Sequence, residues 1–186
     1  MQWNTLVHSV DQWNFTNQSI LLHRYYGNAE VIIPWLQDIR HEFTIKKNLT
    51  QRAQNILRKA ELKLIKIKNN VSHINNEDST SITYIGVHVR RTDYRAHLWR
   101  ARRDDPAWCH KHLGKHRNVY IVSKLDSTNS PEQDFAVMAA CNHSIIDYGT
   151  FGVWGAILAG GETIVHNITG WISTEVGELL PTWHLL

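Results

Sequence analysis

Only two cysteines, Cys109 and Cys141, occur in the 186 residues, which excludes both a disulfide framework and a cluster of thiolate zinc ligands. The two can form one bridge or remain two buried thiols. Long apolar runs are missing as well. The best, residues 151–161, is glycine-rich and of core-segment length, short of the roughly 18 residues a membrane span needs. The first residues, M-Q-W-N-T-L-V-H, lack the charged and apolar regions of a signal peptide, so if the chain belongs in a secretory compartment its address is missing here. A strong charge of one sign is also lacking. Lys and Arg number 20 against 17 Asp and Glu, a net charge of +3. That balance suits an anionic ligand without choosing between nucleotide, nucleic acid and membrane surface. Twelve histidines would add positive charge in a mildly acidic compartment.

What is present is ordinary globular material, 42% hydrophobic and 20% charged, enough for one core plus part of another. The chain is organised around residues 82–94, I-T-Y-I-G-V-H-V-R-R-T-D-Y. A short run of β-branched and aromatic residues predicts a strand covered on both faces, as in a parallel sheet. Ligands of such sheets sit beyond the carboxyl ends of the strands, where Arg90, Arg91 and Asp93 fall. A guanidinium fork there can take a phosphate or carboxylate bidentately. Strand alternation puts His88 and Arg90 on one face and Val89 and Arg91 on the other, so one arginine grips ligand while the other braces the loop. Taken alone, Arg-Arg-x-Asp also fits a surface turn with a local ion pair.

The aromatics of residues 1–29 (Trp3, Trp13, Tyr25, Tyr26) show no period, although 21–27 fits a strand entering a turn at Gly27. Ile32, Trp35, Leu36, Ile39 and Phe43 predict a helix over 29–43 with Pro34 near its first turn. A clearer helix carries the stripe Ala53, Ile56, Leu57, Ala60, Leu64 and Ile67, with Asn48 or Thr50 as cap. Its opposite face holds Arg52, Arg58, Lys59, Lys63, Lys66 and Lys68 against Glu61. Such a face is either solvated or binds membrane, calmodulin or nucleic acid. The polar segment 69–81 is a loop and the expected boundary between two units, a mostly helical 1–80 and an α/β 81–186.

After Tyr94 the chain interleaves arginine with aromatics, as nucleic-acid binders do. Cys109, His110, His112 and His116 invite a metal reading, but their spacing fits no common zinc pattern and none is assigned. The stretch reads instead as a crossover. Residues 118–123 predict the next strand. Pro131 with Glu132 and Asp134 predicts a helix start, with the helix over 135–141. A strand over 143–148 leads into Gly149, Thr150, Phe151 and Gly152 and an Ala/Gly-rich helix. That turn can hold phosphate on backbone N–H groups, although close packing also demands small residues. Residues 162–166 form a final strand and P-T-W-H-L-L a tail. Asn-x-Ser/Thr triplets occur at Asn14, Asn17, Asn48, Asn70, Asn142 and Asn167, an excess that favours a lumenal protein. The last two flank core elements and are expected to stay unmodified.

The string H-V-R-R-T-D-Y resembles the H-x-R-R-x-D motif of GDP-fucose-using fucosyltransferases, and residues 134–164 resemble the C-terminal signature of the α-1,2-fucosyltransferases. The resemblance implies an α/β fold: the parallel-sheet, Rossmann-like nucleotide-binding lobe of a GT-B-type glycosyltransferase, preceded by part of the other lobe. It implies inverting, metal-independent transfer of L-fucose from GDP-fucose, a donor substrate rather than a cofactor, to the 2-hydroxyl of a galactose-terminated glycan. By the same resemblance Arg90 holds the donor β-phosphate, with Arg91 beside it. Gly149, Thr150, Phe151 and Gly152 present N–H groups to the pyrophosphate, and Asp134 accepts from guanine or ribose. Asp93 and His88 are the candidate general bases, Asp93 more readily read as orienting the arginines. The implied location is the Golgi lumen, membrane-associated through an anchor not in this sequence, with no nucleic-acid partner. Thr92 stands where the α-1,2 enzymes have Gly. The family's G-x-x-G-N-Q motif is absent, and the stretch between the signatures is shorter, so an internal deletion and a truncated acceptor lobe are expected.

Overall fold

The computed structural model describes residues 29–71, 81–89, 106–122, 130–168 and 172–186. Among them the order is α1 (Ala29–Ile32), a 3-10 turn (Ile33–Trp35), α2 (Leu36–Glu42), α3 (Lys47–Val71), β1 (Ile85–Val87), α4 (Pro106–His112), α5 (Pro131–Ala139), β2 (His143–Ile146), α6 (Thr150–Ala159), β3 (Thr163–Val165), α7 (Ile172–Leu179) and β4 (Trp183–Leu185). The four strands pair in sequence order, each parallel to the next. The α/β class with a parallel sheet is as the sequence predicts.

The α3 stripe reproduces the expected period. Ala53 is fully buried and Ile56, Leu57, Ala60, Leu64 and Ile67 are half-buried, while Arg52, Arg58, Lys59, Lys63 and Lys66 are exposed. Ala53 meets Ala136 and Val137 of α5 in a second apolar cluster, with Ile45, Leu49 and Val122 at its edge. The cap is elsewhere than expected, because α3 starts at Lys47 and both Asn48 and Thr50 lie inside its first turn. The Thr50 hydroxyl donates backward, to the carbonyls of Ile45 (3.3 Å) and Lys46 (3.4 Å), instead of accepting from an N–H. The helix also runs on to Val71 and absorbs the first residues assigned to the 69–81 loop. The helix expected over 29–43 is interrupted at Pro34, which removes an N–H from the ladder and leaves a 3-10 turn between α1 and α2.

Burial of β1 on both faces is not what the structure holds. Ile85 and Val87 are 55% and 54% exposed, and Ile145 beside them is 38% exposed. Sequential order and right-handed crossovers place every crossover helix on one face. Beneath that face a Cβ on Gly86 would lie 3.3 Å from Cys141 of the α5–β2 turn, one on Gly152 of α6 would lie 3.2 Å from Ile146, and one on Gly177 of α7 would touch Leu185. No described helix covers the opposite face. The strand expected over 118–123 is also absent: residues 119–122 carry no regular structure, and Ser123 lies outside the described residues. Val122 packs in the α3–α5 cluster, and the Val119 carbonyl accepts from Lys63 Nζ (3.1 Å), so α3 rather than a strand is this segment's partner.

The tail is more than a tail. Trp183 is 5% exposed, and β4 pairs with β3 from Thr163↔Trp183 to Val165↔Leu185. The main core joins Met138, Ile146, Val153, Ile157, Val165, Val176 and Trp183. Arg40 ties α2 to it by donating Nε–H to the Ile157 carbonyl (2.7 Å), near the end of α6 where Gly160 turns left-handed at φ 81°.

Within this core the hydroxyls of Ser144, Thr163 and Ser173 are buried and meet no hydrogen-bond partner among the described residues. A buried, unsatisfied hydroxyl costs stability that an isosteric methyl does not. Thr163→Val is therefore expected to raise unfolding free energy by about 1 kcal/mol in urea denaturation; a loss of stability would show that the hydroxyl is paired.

Candidate functional site

The strands are parallel, so the carboxyl ends of β1 and β2 open on the same edge. The pairing continues one residue past β1, where the His88 N–H donates to the Ile145 carbonyl (2.9 Å). Past β2, Asp147 Oδ1 accepts from the Tyr148 N–H (2.8 Å), and Gly149 turns the chain into α6 at φ 111°, ψ 153°. L side chains rarely adopt that conformation, so the turn needs glycine.

Gly149 is the N-cap of α6 and offers no side chain to cap it. The first bond of the helix runs from the Val153 N–H to the Gly149 carbonyl (3.2 Å), so the N–H groups of Thr150, Phe151 and Gly152 precede the hydrogen-bonded ladder. Those donors and the positive end of the helix dipole form a surface that receives an anion.

Aromatic groups surround this turn. His88 stacks on Phe151 with centroids 5.0 Å apart and 29° between planes. Gly152 makes room for it, since a Cβ there would lie 3.1 Å from His88 Nδ1 and 3.2 Å from Ile146. Phe135, from the second turn of α5, meets Phe151 edge-on at 5.3 Å and 74°. Asp134, half-buried and next to Phe135 in the chain, lies in the first turn of α5, which opens at Pro131 as expected but spans Pro131–Ala139 where the sequence reading has the helix over 135–141. Phe43 stacks on Trp154 (5.8 Å, 16°), and with Phe135, Thr150 and Phe151 they line an open groove of about 280 Å³.

The structure thus gathers His88, Gly149, Thr150, Phe151 and Gly152 at one edge, with Asp134 on the adjoining helix. Arg90, Arg91 and Asp93, the other residues of the central motif, lie outside the described residues, as do Asn14 and Asn17. Asn48 is exposed in the first turn of α3, and Asn70 falls near the end of that helix. Asn142 holds the start of β1 by accepting the Tyr84 N–H on Oδ1 (2.8 Å). Phe43 is read in the sequence only as an apolar position of the 29–43 helix, and Trp154 is not singled out. They are 111 residues apart, and only the packing of α2 on α6 brings them together.

Cys109 and Cys141 are separate thiols. Cys141 is buried against the α5 terminus, its Sγ donating to the Val137 carbonyl (3.3 Å), and burial pushes its pKa up from 9.0 to about 11. In the unfolded chain the thiol ionises nearer its ordinary value, so the unfolded state loses its proton first as pH rises. Between about pH 9 and 11 stability is expected to fall with pH, and Cys141→Ala should flatten that part of the profile in alkaline denaturation. On α4, Trp108 stacks on His112 (4.6 Å, 29°). Among the described residues no three His, Cys, Asp or Glu side chains are grouped to hold a metal ion.

Comparison with known proteins adds three observations. The family described as glycosyl transferase family 11 matches residues 100–178, a stretch that takes in Asp134 and residues 149–152. The chain is 32% identical over 156 residues to galactoside 2-alpha-L-fucosyltransferase SEC1 of Bos taurus, covering 68% of this chain and 39% of that one. It is 33% identical to galactoside alpha-(1,2)-fucosyltransferase 2 of Bos taurus over 68% and 41%, and 31% identical to galactoside alpha-(1,2)-fucosyltransferase 1 of Lagothrix lagotricha over 69% and 40%. The chain therefore spans about two fifths of the length of these curated relatives. No solved structure matches it. By these matches the chain is similar to the galactoside α-1,2-fucosyltransferases, and the second of the two sequence signatures, residues 134–164, lies inside the stretch matched by glycosyl transferase family 11.

Proposed function

We propose that the chain transfers L-fucose from GDP-fucose to the 2-hydroxyl of a terminal β-galactoside, with inversion and without a metal ion. The observation that supports this best is the glycine turn into an uncapped helix N-terminus, set at the carboxyl edge of a parallel sheet beside His88. The chain leaves that edge directly into Arg90, Arg91 and Asp93.

In this reading residues 81–186 are the donor-binding lobe of a GT-B-type enzyme, and residues 1–80 contribute part of the acceptor lobe and the linker. The acceptor oxygen attacks the anomeric carbon as the bond to the β-phosphate oxygen breaks, and the electron pair of that bond leaves with GDP. Negative charge grows on the phosphate while the sugar gains oxocarbenium character. Arg90 and the N–H groups of Thr150, Phe151 and Gly152 stabilise the phosphate, with Arg91 supporting the loop. Asp134 accepts hydrogen bonds from guanine or ribose. His88 or Asp93 takes the acceptor proton. The stack on Phe151 holds the His88 ring at the edge, in a geometry suited to positioning it beside the phosphate site. The proposed location is the Golgi lumen.

Calorimetric titration of the full chain with GDP-fucose, GDP and ATP tests the donor assignment. Selective binding of the guanosine ligands supports it, and equal or no binding in a folded chain overturns it. A second reading, a homologue that binds GDP-sugar without turning it over, rests on the shortened stretch between the two signatures. Fucose release onto a galactoside acceptor, measured with the same preparation, decides between the two.

A further inference from the structure

Among the described residues, the outward face of α3 is used neither by the fold nor by the proposed donor site. Leu62 and Ile65 lie on it, 49% and 39% exposed, although the buried stripe of the same helix already supplies its packing contacts. Arg58, Lys59 and Lys66 surround them, all exposed. None of these three cations meets an acidic partner among the described residues. Glu61, the only acid of the helix, is half-buried and interacts with Tyr84. Lys63 is turned aside to the Val119 carbonyl and the Tyr120 ring (5.9 Å). The result is a rigid helix surface with two aliphatic side chains at its centre and free positive charge around them.

We propose that this face docks on an anionic lipid bilayer. The charge complementarity is direct, because lysine and arginine stems reach toward headgroup phosphates while the aliphatic side chains enter the acyl boundary. Nucleic acid would engage the same cations but would leave Leu62 and Ile65 facing a phosphate backbone. An acidic protein surface would meet them with charge. Only a bilayer has an apolar layer beneath an anionic one, the same arrangement this face presents in mirror image. The helix lies along the surface and does not cross it, in keeping with the absence of any described helix long and apolar enough to span a membrane.

The test is co-sedimentation of the full chain with vesicles of phosphatidylcholine alone and with about 30% phosphatidylserine, next to titration with a short single-stranded RNA. The wild type is expected to bind the anionic vesicles at least about tenfold more strongly than the neutral ones. One variant, Leu62→Ser with Ile65→Ser, keeps every charge; another, Arg58→Gln with Lys59→Gln and Lys66→Gln, keeps the aliphatics. Both change exposed positions only, and far-ultraviolet circular dichroism verifies that each stays folded. Both are expected to lose the anionic preference. Vesicle binding by the serine variant equal to that of wild type overturns the proposal, because the aliphatics then do not enter the bilayer. Indifference of the wild type to lipid charge, or RNA binding stronger than vesicle binding, overturns it as well.

Discussion

Alanine in place of Gly161 is expected to cost about 3 kcal/mol of stability, more than any other single methyl group added to a described glycine turn. A Cβ at Gly161 would lie 1.9 Å from the Asn142 carbonyl oxygen, 3.0 Å from its carbon and 2.8 Å from His143 Nδ1. The obstacle is backbone, and that backbone is held on all sides. Asn142 and His143 donate their N–H groups to the Tyr84 carbonyl (2.9 and 3.1 Å), and the Ser144 N–H donates to the Glu162 carbonyl (2.9 Å). The Glu162 N–H in turn donates to His143 Nδ1 (3.0 Å). Relief of the clash must pull apart the junction at which the amino ends of β1, β2 and β3 meet. Gly160 is the informative control. Its φ of 81° makes alanine strained there, but the nearest obstacle, the Arg40 guanidinium, is 3.6 Å away and flexible, so about 1 kcal/mol is expected. Thermal unfolding of both variants separates steric from dihedral cost, at about 2–4 °C per kcal/mol for a chain of this size. Equal losses would mean that the Gly161 junction yields.

Arg90→Ala is expected to lower kcat/KM for fucosyl transfer by at least about a hundredfold. The reasoning starts from charge. In the proposed mechanism, phosphate oxygens departing with GDP gain negative charge as the glycosidic bond breaks, and the donors that the described residues would offer them are neutral N–H groups at the start of α6. A helix terminus supplies only about half a unit of positive charge, so in the proposed mechanism most of the compensation falls to arginine. Arg90→Lys should recover part of the loss, since it keeps the charge and loses the bidentate fork. Kinetics at saturating and limiting GDP-fucose separate two roles. A fall in kcat places the arginine in transition-state stabilisation, whereas a rise in KM alone confines it to donor binding. Unchanged kinetics would remove Arg90 from the site.

Sequence pattern conveyed some parts of this fold well. The α3 stripe was legible because one face of a long helix meets one partner, so period and burial coincide residue by residue. The turn at Gly149 was legible because its dihedral angles and the close approach of His88 over Gly152 both demand glycine. Other parts were not. An apolar run such as residues 82–87 does not say whether one or both of its faces are covered, and Ile85 and Val87 turn out to be open. Residues 118–122 look like a strand, but their apolar side chains serve equally well as cover for a helix, which is how Val122 is used. In the tail, Trp183 and Leu185 alternate with exposed His184, a strand period only three residues long. The aromatic groove was hidden for another reason: Phe43 and Trp154 are joined by tertiary packing, which leaves no local trace.

The packing of α3 also has a consequence for synthesis. Its apolar stripe is complete once residue 67 has been made, yet Ala136 and Val137, against which Ala53 closes, come about seventy residues later. At about 5–20 residues per second the nascent helix waits several seconds with that stripe bare. Until α5 arrives the stripe lacks the partner on which Ala53 closes, so α3 is expected to dock late in synthesis.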